Sequence, residues 1–282
     1  MDITYKGEWL PMITITKKEF EQLAAFIKSN YGIHLKAEKE SLVMGRLQNV
    51  LIQNGFKSFT EYYDYIVSDK TQTAVTVLLN KITTNHTFFM READHFNYFS
   101  TTVLPLLSNK IANRDLRVWC AGCSSGEEPY TLAMLIDEFF GKEKLYWDTK
   151  ILATDISSKV LEEATSGVYS NKDIETLPSK WKLNYIKRKN ELESEFTAKI
   201  KDEVIFRKFN LMEPVFPFKK KFHVIFCRNV MIYFDDRTKR DLVRKFSDSL
   251  EQGGYLFIGH SESLGRDDTD LKYIMPAVYR KI

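Results

Sequence analysis

The sequence has few of the residues that mark specialised protein classes. Only 3 cysteines, 12 glycines and 7 prolines occur among 282 residues, which excludes a disulfide-rich scaffold and a collagen-like or low-complexity chain. No run approaches the roughly 18 apolar residues of a membrane span, and the first residues, MDITYKGEWLPMITI, lack the basic-then-apolar pattern of a signal peptide. We therefore expect a cytoplasmic protein with reduced thiols and no membrane insertion.

A strong charge of one sign is also missing. The 41 basic and 38 acidic residues leave a net charge of +3, whereas nucleic-acid binding usually requires a concentrated basic footprint. The charge therefore predicts no nucleic-acid partner. The remaining composition, 44% hydrophobic and 28% charged residues, is ordinary for a globular protein with one or two domains.

The first 80 residues show helical patterns only. Residues 16–19 (TKKE) and 58–61 (SFTE) each fit a capping box, in which a hydroxyl and a carboxylate cover free backbone N–H groups. Apolar residues then recur at i, i+3, i+4 and i+7, for example over residues 20–27. We expect a bundle of four helices and an N-terminal helical domain over residues 1–82.

From about residue 115, short apolar runs alternate with helical stretches. The strand-like runs are LRVWCA (116–121), KILATD (150–155), FHVIFC (222–227) and GYLFIGH (254–260). This alternation predicts an α/β fold, a parallel sheet with helices on both faces. The last run, KYIMPAVYRKI, contains a proline and is expected to form an edge strand or terminal hairpin. The charged segment at about 169–209, with strand-like FTAKI and EVIFRKF, is expected to be a small β insertion.

The strongest local feature is WCAGCSSGEEPY (119–130), between the first of these strands and its helix. Small residues there let a ligand approach the backbone. The segment is not GxGxxG, and Glu127 and Glu128 lie where a pyrophosphate would bind. A cationic, hydroxyl-bearing ligand such as S-adenosylmethionine fits better. A tight turn whose glutamates only favour the helix dipole remains equally open.

Asp155 ends the second strand, in ATDI. A carboxylate at this position can accept hydrogen bonds from ribose hydroxyls. The alternative is an N-cap for the next helix. We favour the ribose role, because Asp155 follows a strand at the edge that also carries the glycine turn.

The pair Cys120 and Cys123 forms a CxxC, which can be redox-active or half of a metal site. There is no second CxxC, and Cys227 is the only other cysteine. We interpret the pair as small structural side chains and predict no metal site. The segment GHSES (259–263) resembles a nucleophile elbow but lacks its final glycine.

Two further segments lie at informative places. NHTFFMRE (85–92) joins the helical part to the sheet part, and domain junctions are preferred sites for pockets. CRNVMIYF (227–234) ends a strand on the expected binding edge. Taken singly, each could be aromatic core packing with polar surface residues.

Together, NHTFFMRE, SSGEEPY, ATDI, FCRNVMIYF and GHSE, in this order, closely resemble the chemotaxis protein methyltransferases, which methylate glutamate side chains of chemoreceptors. The resemblance runs from about residue 83 to the C-terminus. It implies a class I methyltransferase domain over residues 83–282, with about seven strands, one of them an antiparallel edge strand. It also implies S-adenosylmethionine as the cofactor and the cytoplasmic domain of chemoreceptors as the partner.

The resemblance implies particular site residues. It places cofactor contacts at Asn85, Thr87, Arg91, Glu128, Asp155, Asn210, Leu211, Arg228 and Asn229. It places Arg91 and Tyr233 nearest the transferring methyl group. A glutamate carboxylate, with a pKa of about 4.3, is already ionised at neutral pH, so we expect alignment and exclusion of water rather than a catalytic base.

Two departures from the family pattern concern the receptor. In relatives the second leader helix is often richly basic and is thought to face the receptor, but here it carries only Lys39 and Arg46, with Lys36 just before it. Some members also bind a tethering peptide of the receptor tail through a glycine-containing loop. No glycine occurs between Gly167 and Gly253, so we predict no tail tethering.

Two other functions remain as alternatives. One is a methyltransferase for another substrate, such as a nucleic-acid base; Asn229-Val230-Met231-Ile232 is not the Asn/Asp-Pro-Pro-aromatic motif of adenine methyltransferases. The other is an S-adenosylmethionine-binding regulatory module. Retention of both Arg91 and Tyr233 argues against this module.

Overall fold

The computed structural model describes residues 2–5, 8–83, 86–265 and 270–282. The chain forms two compact units: Met1–Asn85 with Tyr233–Asp235, and His86–Ile232 with Asp236–Ile282. None of the helices in the described ranges combines the length and apolar character needed to cross a bilayer.

The N-terminal unit contains the four predicted helices and a hairpin that was not predicted. Its elements are β1 (Asp2–Tyr5), β2 (Glu8–Pro11), α1 (Lys17–Tyr31), α2 (Glu40–Gln53), α3 (Phe59–Ser68) and α4 (Thr73–Ile82), with a 3-10 turn at Ala37–Lys39. The expectation of helices only was wrong for β1 and β2, which pair antiparallel. Strands of four residues are too short to show the alternation by which strands are recognised.

The two predicted capping boxes have different outcomes. At α1 the box is complete, since Thr16 Oγ1 accepts from Glu19 N at 3.3 Å and Glu19 Oε2 accepts from Thr16 N at 2.8 Å. At α3 only half forms: Ser58 Oγ accepts from Glu61 N at 3.1 Å, but the Glu61 carboxylate accepts from Lys57 N at 2.7 Å. The prediction of a second capping box was therefore wrong for the glutamate, whose carboxylate binds the backbone N–H one residue before the N-cap.

The second unit contains a seven-stranded sheet and a three-stranded sheet. Its strands are β3 (Val118–Ala121), β4 (Ile151–Asp155), β5 (Val168–Ser170), β6 (Ile186–Arg188), β7 (Glu193–Phe196), β8 (Val204–Lys208), β9 (Phe222–Cys227), β10 (Leu250–Ile258), β11 (Leu271–Met275) and β12 (Val278–Lys281). Its helices are α5 (Ala93–Tyr98), α6 (Leu104–Lys110), α7 (Glu127–Phe140), α8 (Ser158–Ser166), α9 (Ser179–Tyr185), α10 (Ala198–Lys201) and α11 (Asp236–Ser249). A π-helical turn, Phe99–Val103, joins α5 to α6, and 3-10 turns occupy Gly141–Tyr146 and Met231–Tyr233.

The large sheet has the order β11-β12-β10-β9-β3-β4-β8. The strands from β10 to β8 are parallel, whereas β12 is antiparallel to both of its neighbours. The predicted α/β sheet and terminal hairpin are therefore confirmed. The expectation of an antiparallel strand at the edge was wrong, because β11 turns back at residues 276–277 and the antiparallel β12 lies second from the edge.

The three-stranded sheet, of order β5-β7-β6, is smaller than the insertion expected at about 169–209. The segment EVIFRKF contributes β8, which pairs with β4 in the large sheet. FTAKI is not a strand, since β7 ends at Phe196 and α10 follows it. Alternation in such short runs does not reveal which sheet a strand joins, because pairing partners are set by the tertiary structure.

The parallel strands bring four connections to one edge. β3, β4, β9 and β10 run in the same direction, so the segments that follow them all leave at the carboxyl edge of the sheet. These segments contain the glycine turn, Asp155, Arg228 and Gly259. Residues distant in the sequence are thereby assembled beside one another.

Candidate active site

Arg228, at the carboxyl end of β9, is the centre of a buried polar network. Its side chain is only 3% exposed. Nη1 donates to Glu128 Oε2 at 3.0 Å, while Nε and Nη2 donate to Glu92 Oε2 at 3.3 and 3.0 Å. Nη2 also donates to the carbonyl oxygen of Arg91. One cation is thus shared by two carboxylates, and removing Arg228 would leave both acids without their compensating charge.

The second oxygen of Glu92 links this network to its neighbours. Glu92 Oε1 accepts from Asn229 Nδ2 at 3.1 Å and from His260 N at 3.2 Å. Burial acts to raise the pKa of Glu92, but the charge of Arg228 and the hydrogen bonds outweigh it and lower the pKa. In Glu128 burial prevails and raises the pKa, although Arg228 and the Cys120 thiol oppose it.

Glu262 holds the turn that follows Arg228. Its carboxylate accepts from three backbone N–H groups: Asn229 at 3.0 Å, Ile232 at 3.0 Å and Gly259 at 2.6 Å. A Cβ on Gly259 would lie 2.5 Å from Asn229 Nδ2. The close approach of these two chain segments therefore requires glycine at that position.

Asp155 is bound both to the glycine turn and to the residue that caps α8. Oδ2 accepts from Ser124 N at 2.9 Å and Oδ1 accepts from Ser157 N at 3.0 Å. The N-cap of α8 is Ser157, whose hydroxyl accepts from Val160 N, so the alternative role of Asp155 as that N-cap was wrong. Burial raises the pKa of Asp155, and backbone N–H groups partly oppose this. A carboxylate has about four acceptor sites, so Asp155 keeps capacity for a hydroxyl donor.

The glycine turn fits a cofactor without phosphate. Gly122 has φ 88°, and a Cβ there would lie 2.4 Å from Val230 Cγ2. Ser124 Oγ is buried and has no hydrogen-bond partner among the described residues. The next groups are acidic, since Glu127 and Glu128 occupy the first turn of α7. Carboxylates and a hydroxyl suit ammonium and ribose groups and would repel a pyrophosphate.

Of the other predicted site residues, Arg91 contacts the network through its carbonyl oxygen, which accepts from Arg228. The Arg91 side chain points elsewhere, since Nη1 donates to His86 O at 2.6 Å. Burial raises the pKa of Glu127, and the Thr87 hydroxyl is among the groups that oppose this. In the turn after β8, Asn210 Oδ1 accepts from Met212 N at 3.0 Å.

Two further site residues make contacts through their carbonyl oxygens. Leu211, also in that turn, binds Lys245 through its carbonyl oxygen. Tyr233 belongs to the N-terminal unit, where its carbonyl oxygen accepts from His34 N at 2.8 Å. Asn85 falls outside the described residues.

Sequence reasoning missed two glutamates and a histidine pair. Glu92 and Glu262 were visible only as the acidic ends of NHTFFMRE and GHSE, a weak signal by itself. His95 and His260 have ring centroids 4.6 Å apart, but no ligand spacing connects residues so far apart in the chain. Only the sheet topology brings them together.

The cysteines are placed as small side chains of the core. All three are free and buried. Burial raises the pKa of Cys120, Cys123 and Cys227 well above its usual value, which disfavours the thiolate that redox and metal chemistry require.

The Asp155→Ala variant is expected to lose cofactor affinity. A hydrogen bond to a charged group contributes about 1.5–3 kcal/mol, so the dissociation constant for S-adenosylhomocysteine should rise by roughly 10- to 150-fold. Calorimetric titration measures this. Ser157→Ala, which removes only the cap of α8, serves as the control. Unchanged affinity in folded Asp155→Ala would assign the carboxylate to holding the turn alone.

Comparison with known proteins agrees with this geometry. The family model described as CheR methyltransferase, SAM binding domain, matches residues 85–279, and the model described as CheR methyltransferase, all-alpha domain, matches residues 18–83. The chain is 44% identical over 272 residues to the chemotaxis protein methyltransferase of Borreliella burgdorferi, covering 95% of this chain and 96% of that protein.

Two more relatives show the same likeness. The probable chemotaxis protein methyltransferase of Rhizobium etli is 37% identical, over 84% of this chain and 89% of its own. The chemotaxis protein methyltransferase of Escherichia coli is 34% identical, over 89% of this chain and 86% of its own. With both family models matched along most of its length, the chain belongs to the CheR methyltransferase family, whose sheet domain binds S-adenosylmethionine.

Proposed function

We propose that this protein transfers a methyl group from S-adenosylmethionine to glutamate side-chain carboxylates of chemoreceptors, giving glutamate methyl esters and S-adenosylhomocysteine. The observation that carries the proposal is the likeness to chemotaxis protein methyltransferases along nearly the whole chain. The buried network around Arg228 supports it, because the motifs that define the resemblance supply its members.

The chemistry requires alignment rather than proton transfer. The cofactor supplies a methyl group on a positively charged sulfur. A carboxylate oxygen of the substrate forms the new bond to the methyl carbon, and the electrons of the carbon–sulfur bond pass to sulfur. The substrate carboxylate is ionised at pH 7, since its pKa is about 4.3. No general base is needed, and the protein must hold the groups in line and exclude water.

The protein's own buried carboxylates are held by ion pairs and hydrogen bonds. Glu92 and Glu128 are both paired with Arg228, and Glu262 accepts three backbone hydrogen bonds. Asp155 is held by Ser124 and Ser157. This supports Asp155 as the acceptor of ribose hydroxyls and Arg228 as the residue that organises the surrounding acids.

The resemblance supports Arg91 and Tyr233 as the residues nearest the methyl group. We propose that the Tyr233 hydroxyl orients the substrate carboxylate, whereas Arg91 also contacts the cofactor. Asn85, Thr87, Glu128, Asn210, Leu211 and Asn229 complete the proposed cofactor contacts. We also propose a domain boundary between residues 82 and 83, no tethering by a receptor tail and no nucleic-acid partner.

The Tyr233→Phe variant is expected to transfer methyl groups roughly ten- to hundredfold more slowly. It loses one orienting hydrogen bond, worth about 1.5–3 kcal/mol, while cofactor affinity stays unchanged because the contact is made mainly in the transition state. Arg91→Ala should reduce both transfer and affinity. Single-turnover transfer from radiolabelled cofactor to a receptor cytoplasmic fragment, with calorimetric titration of each variant, measures the two effects.

Tyr273→Phe is the matched control, since Tyr273 is 61% exposed on β11. If Tyr233→Phe transfers methyl groups at the wild-type rate, the Tyr233 hydroxyl has no orienting role and the ring only contributes packing. Cofactor binding by the wild type without transfer to any receptor fragment would instead favour a regulatory module.

A further inference from the structure

Helix α11 presents a basic face that neither the fold nor the proposed reaction uses. Arg237, Arg240 and Arg244 follow one another at spacings of three and four, so they lie on one side of the helix. All three are exposed, whereas Leu242 and Phe246 bury the opposite side. We call these three residues the arginine face.

The arginine face is weakly neutralised. Arg237 and Arg240 form no ion pair with any described residue, and Arg244 Nη1 lies 3.8 Å from Asp241 Oδ1 with both side chains 59% exposed. Exposed pairs of this kind contribute little. Lys239 has a similarly loose pair with Asp236, at 3.9 Å.

A cleft runs beside the first turns of α11. It has a volume of about 200 Å³ and is lined by Asp236, Lys239, Arg240 and Val243 of the helix and by residues 263–265 of the loop after β10. Two of its four helical side chains are cations. The cleft therefore offers a recess next to the arginine face, with apolar walls and with two cations against one carboxylate.

This surface lies at the same edge of the sheet as the Arg228 network. A helix that follows a parallel strand begins at the carboxyl edge, and α11 follows β9. The loop wall of the cleft begins directly after Glu262, which binds Asn229 N and Ile232 N. A segment bound along α11 can thus reach the residues of the site within this unit.

The cations of the leader helix are less available in this chain. Arg46 Nη1 donates to the carbonyl oxygens of Ile82 at 3.0 Å and Lys81 at 3.3 Å, so its guanidinium is engaged within the N-terminal unit. Of the three cations in and before α2, this leaves only Lys36 and Lys39 for a partner. The arginine face offers a denser group of exposed cations.

We propose that the arginine face and its cleft are a docking surface for the glutamate-bearing segment of the receptor. This inference rests on the proposed function and adds a recognition element to it. Opposite charges raise the rate of encounter and set the register of a complex. Because aspartates alternate with the arginines on α11, the surface fits a protein partner with discrete acidic side chains better than the uniform charge of a nucleic acid.

The test is a charge reversal in the full-length protein. The double variant Arg237→Glu/Arg240→Glu should raise the KM for a receptor cytoplasmic fragment by about tenfold or more, with kcat and S-adenosylhomocysteine affinity unchanged. Its KM should also depend less on salt than that of the wild type, because screening weakens attraction between exposed charges. Arg237→Lys/Arg240→Lys retains the charge and should keep KM within about twofold.

A matched control carries the same change in charge elsewhere. Lys142 follows α7 and Lys219 precedes β9, so both lie at the opposite edge of the sheet, and both are exposed. Lys142→Glu/Lys219→Glu should leave KM close to the wild-type value. An equal increase of KM in both double variants would show a general charge effect and overturn the proposal.

The remaining outcomes also decide the question. An unchanged KM in Arg237→Glu/Arg240→Glu, or a loss confined to kcat or cofactor affinity, overturns the docking role. If the wild type transfers no methyl group to the fragment, the proposed function fails, and binding of labelled fragment is compared directly among the same variants. Should the charge reversal fail to fold, Arg237→Ala/Arg240→Ala is used with the same criteria.

Discussion

Replacing Arg228 by methionine is expected to destabilise the protein by about 3–5 kcal/mol, the usual cost of leaving a buried charge without its partner. Arg228 is the shared cation of Glu92 and Glu128, and its side chain is 3% exposed. Methionine fills much of the same space but cannot donate a hydrogen bond. The loss should be smaller at acidic pH, where protonation of the two glutamates removes their charges.

Urea unfolding at pH 7 measures this loss. Arg244→Met is the control, because Arg244 is 59% exposed and surface substitutions usually change stability by less than about 0.5 kcal/mol. Equal unfolding free energies for the two variants would mean that Arg228 does not compensate the buried acids.

Lowering the pH from 6.5 to 4 is expected to destabilise the protein by about 3 kcal/mol through His95 alone. His95 is fully buried, its Nδ1 has no hydrogen-bond partner in the described part of the chain, and Nε2 lies 3.4 Å from the carbonyl oxygen of Pro276. Burial is the main cause that lowers the pKa of His95 to about 4, and the charge of Arg228 adds to it.

The direction follows from proton linkage. Between pH 6.5 and 4 the unfolded histidine binds a proton that the folded one does not, so stability rises with pH in this window and is lost as pH falls. A difference of about 2.5 pKa units corresponds to about 3 kcal/mol. From about one pH unit above 6.5 both states are essentially neutral, and His95 no longer contributes to the pH dependence.

The His95→Gln variant isolates this contribution. Its unfolding free energy, measured by urea at several pH values, should change less between pH 6.5 and 4 than that of the wild type. Burial also lowers the pKa of His223 to about 4. His223 therefore contributes equally to the pH dependence of stability in both proteins. His86→Gln, at an exposed position, should behave as the wild type. A constant difference between His95→Gln and wild type across the window would refute the assignment.

Local signals predicted most of the elements. β9 has the predicted bounds, and β4 begins one residue later than the predicted run. These segments carry strong periodicity or buried apolar runs, which depend on near neighbours. The errors include β1, β2, α10 and the sheet assignment of β8. All are short, so periodicity gives little signal for them, and the partner strand of β8 is distant in the sequence.

Some residues of the candidate site were suggested by local sequence patterns, and others were not. Asp155 and the glycine turn were predicted because a carboxylate at a strand end and small residues before a helix are local patterns. Asn210 came from the resemblance alone. Glu92 was not recognised, since its contacts with Arg228, Asn229 and His260 span more than 130 residues of chain.

The amino-acid sequence by itself determined the fold class, the family motifs and the preference for a cofactor without phosphate, because these depend on residue type and spacing along the chain. Only the tertiary structure decided which charges are compensated. It is the parallel order of β10, β9, β3 and β4 that brings four loops to one edge. There burial forces Glu92 and Glu128 to share Arg228, while Arg237 and Arg240 remain in solvent. Arginine is therefore structural at position 228 and available for a partner at positions 237 and 240. The difference arises because the desolvation of a charge depends on its three-dimensional surroundings.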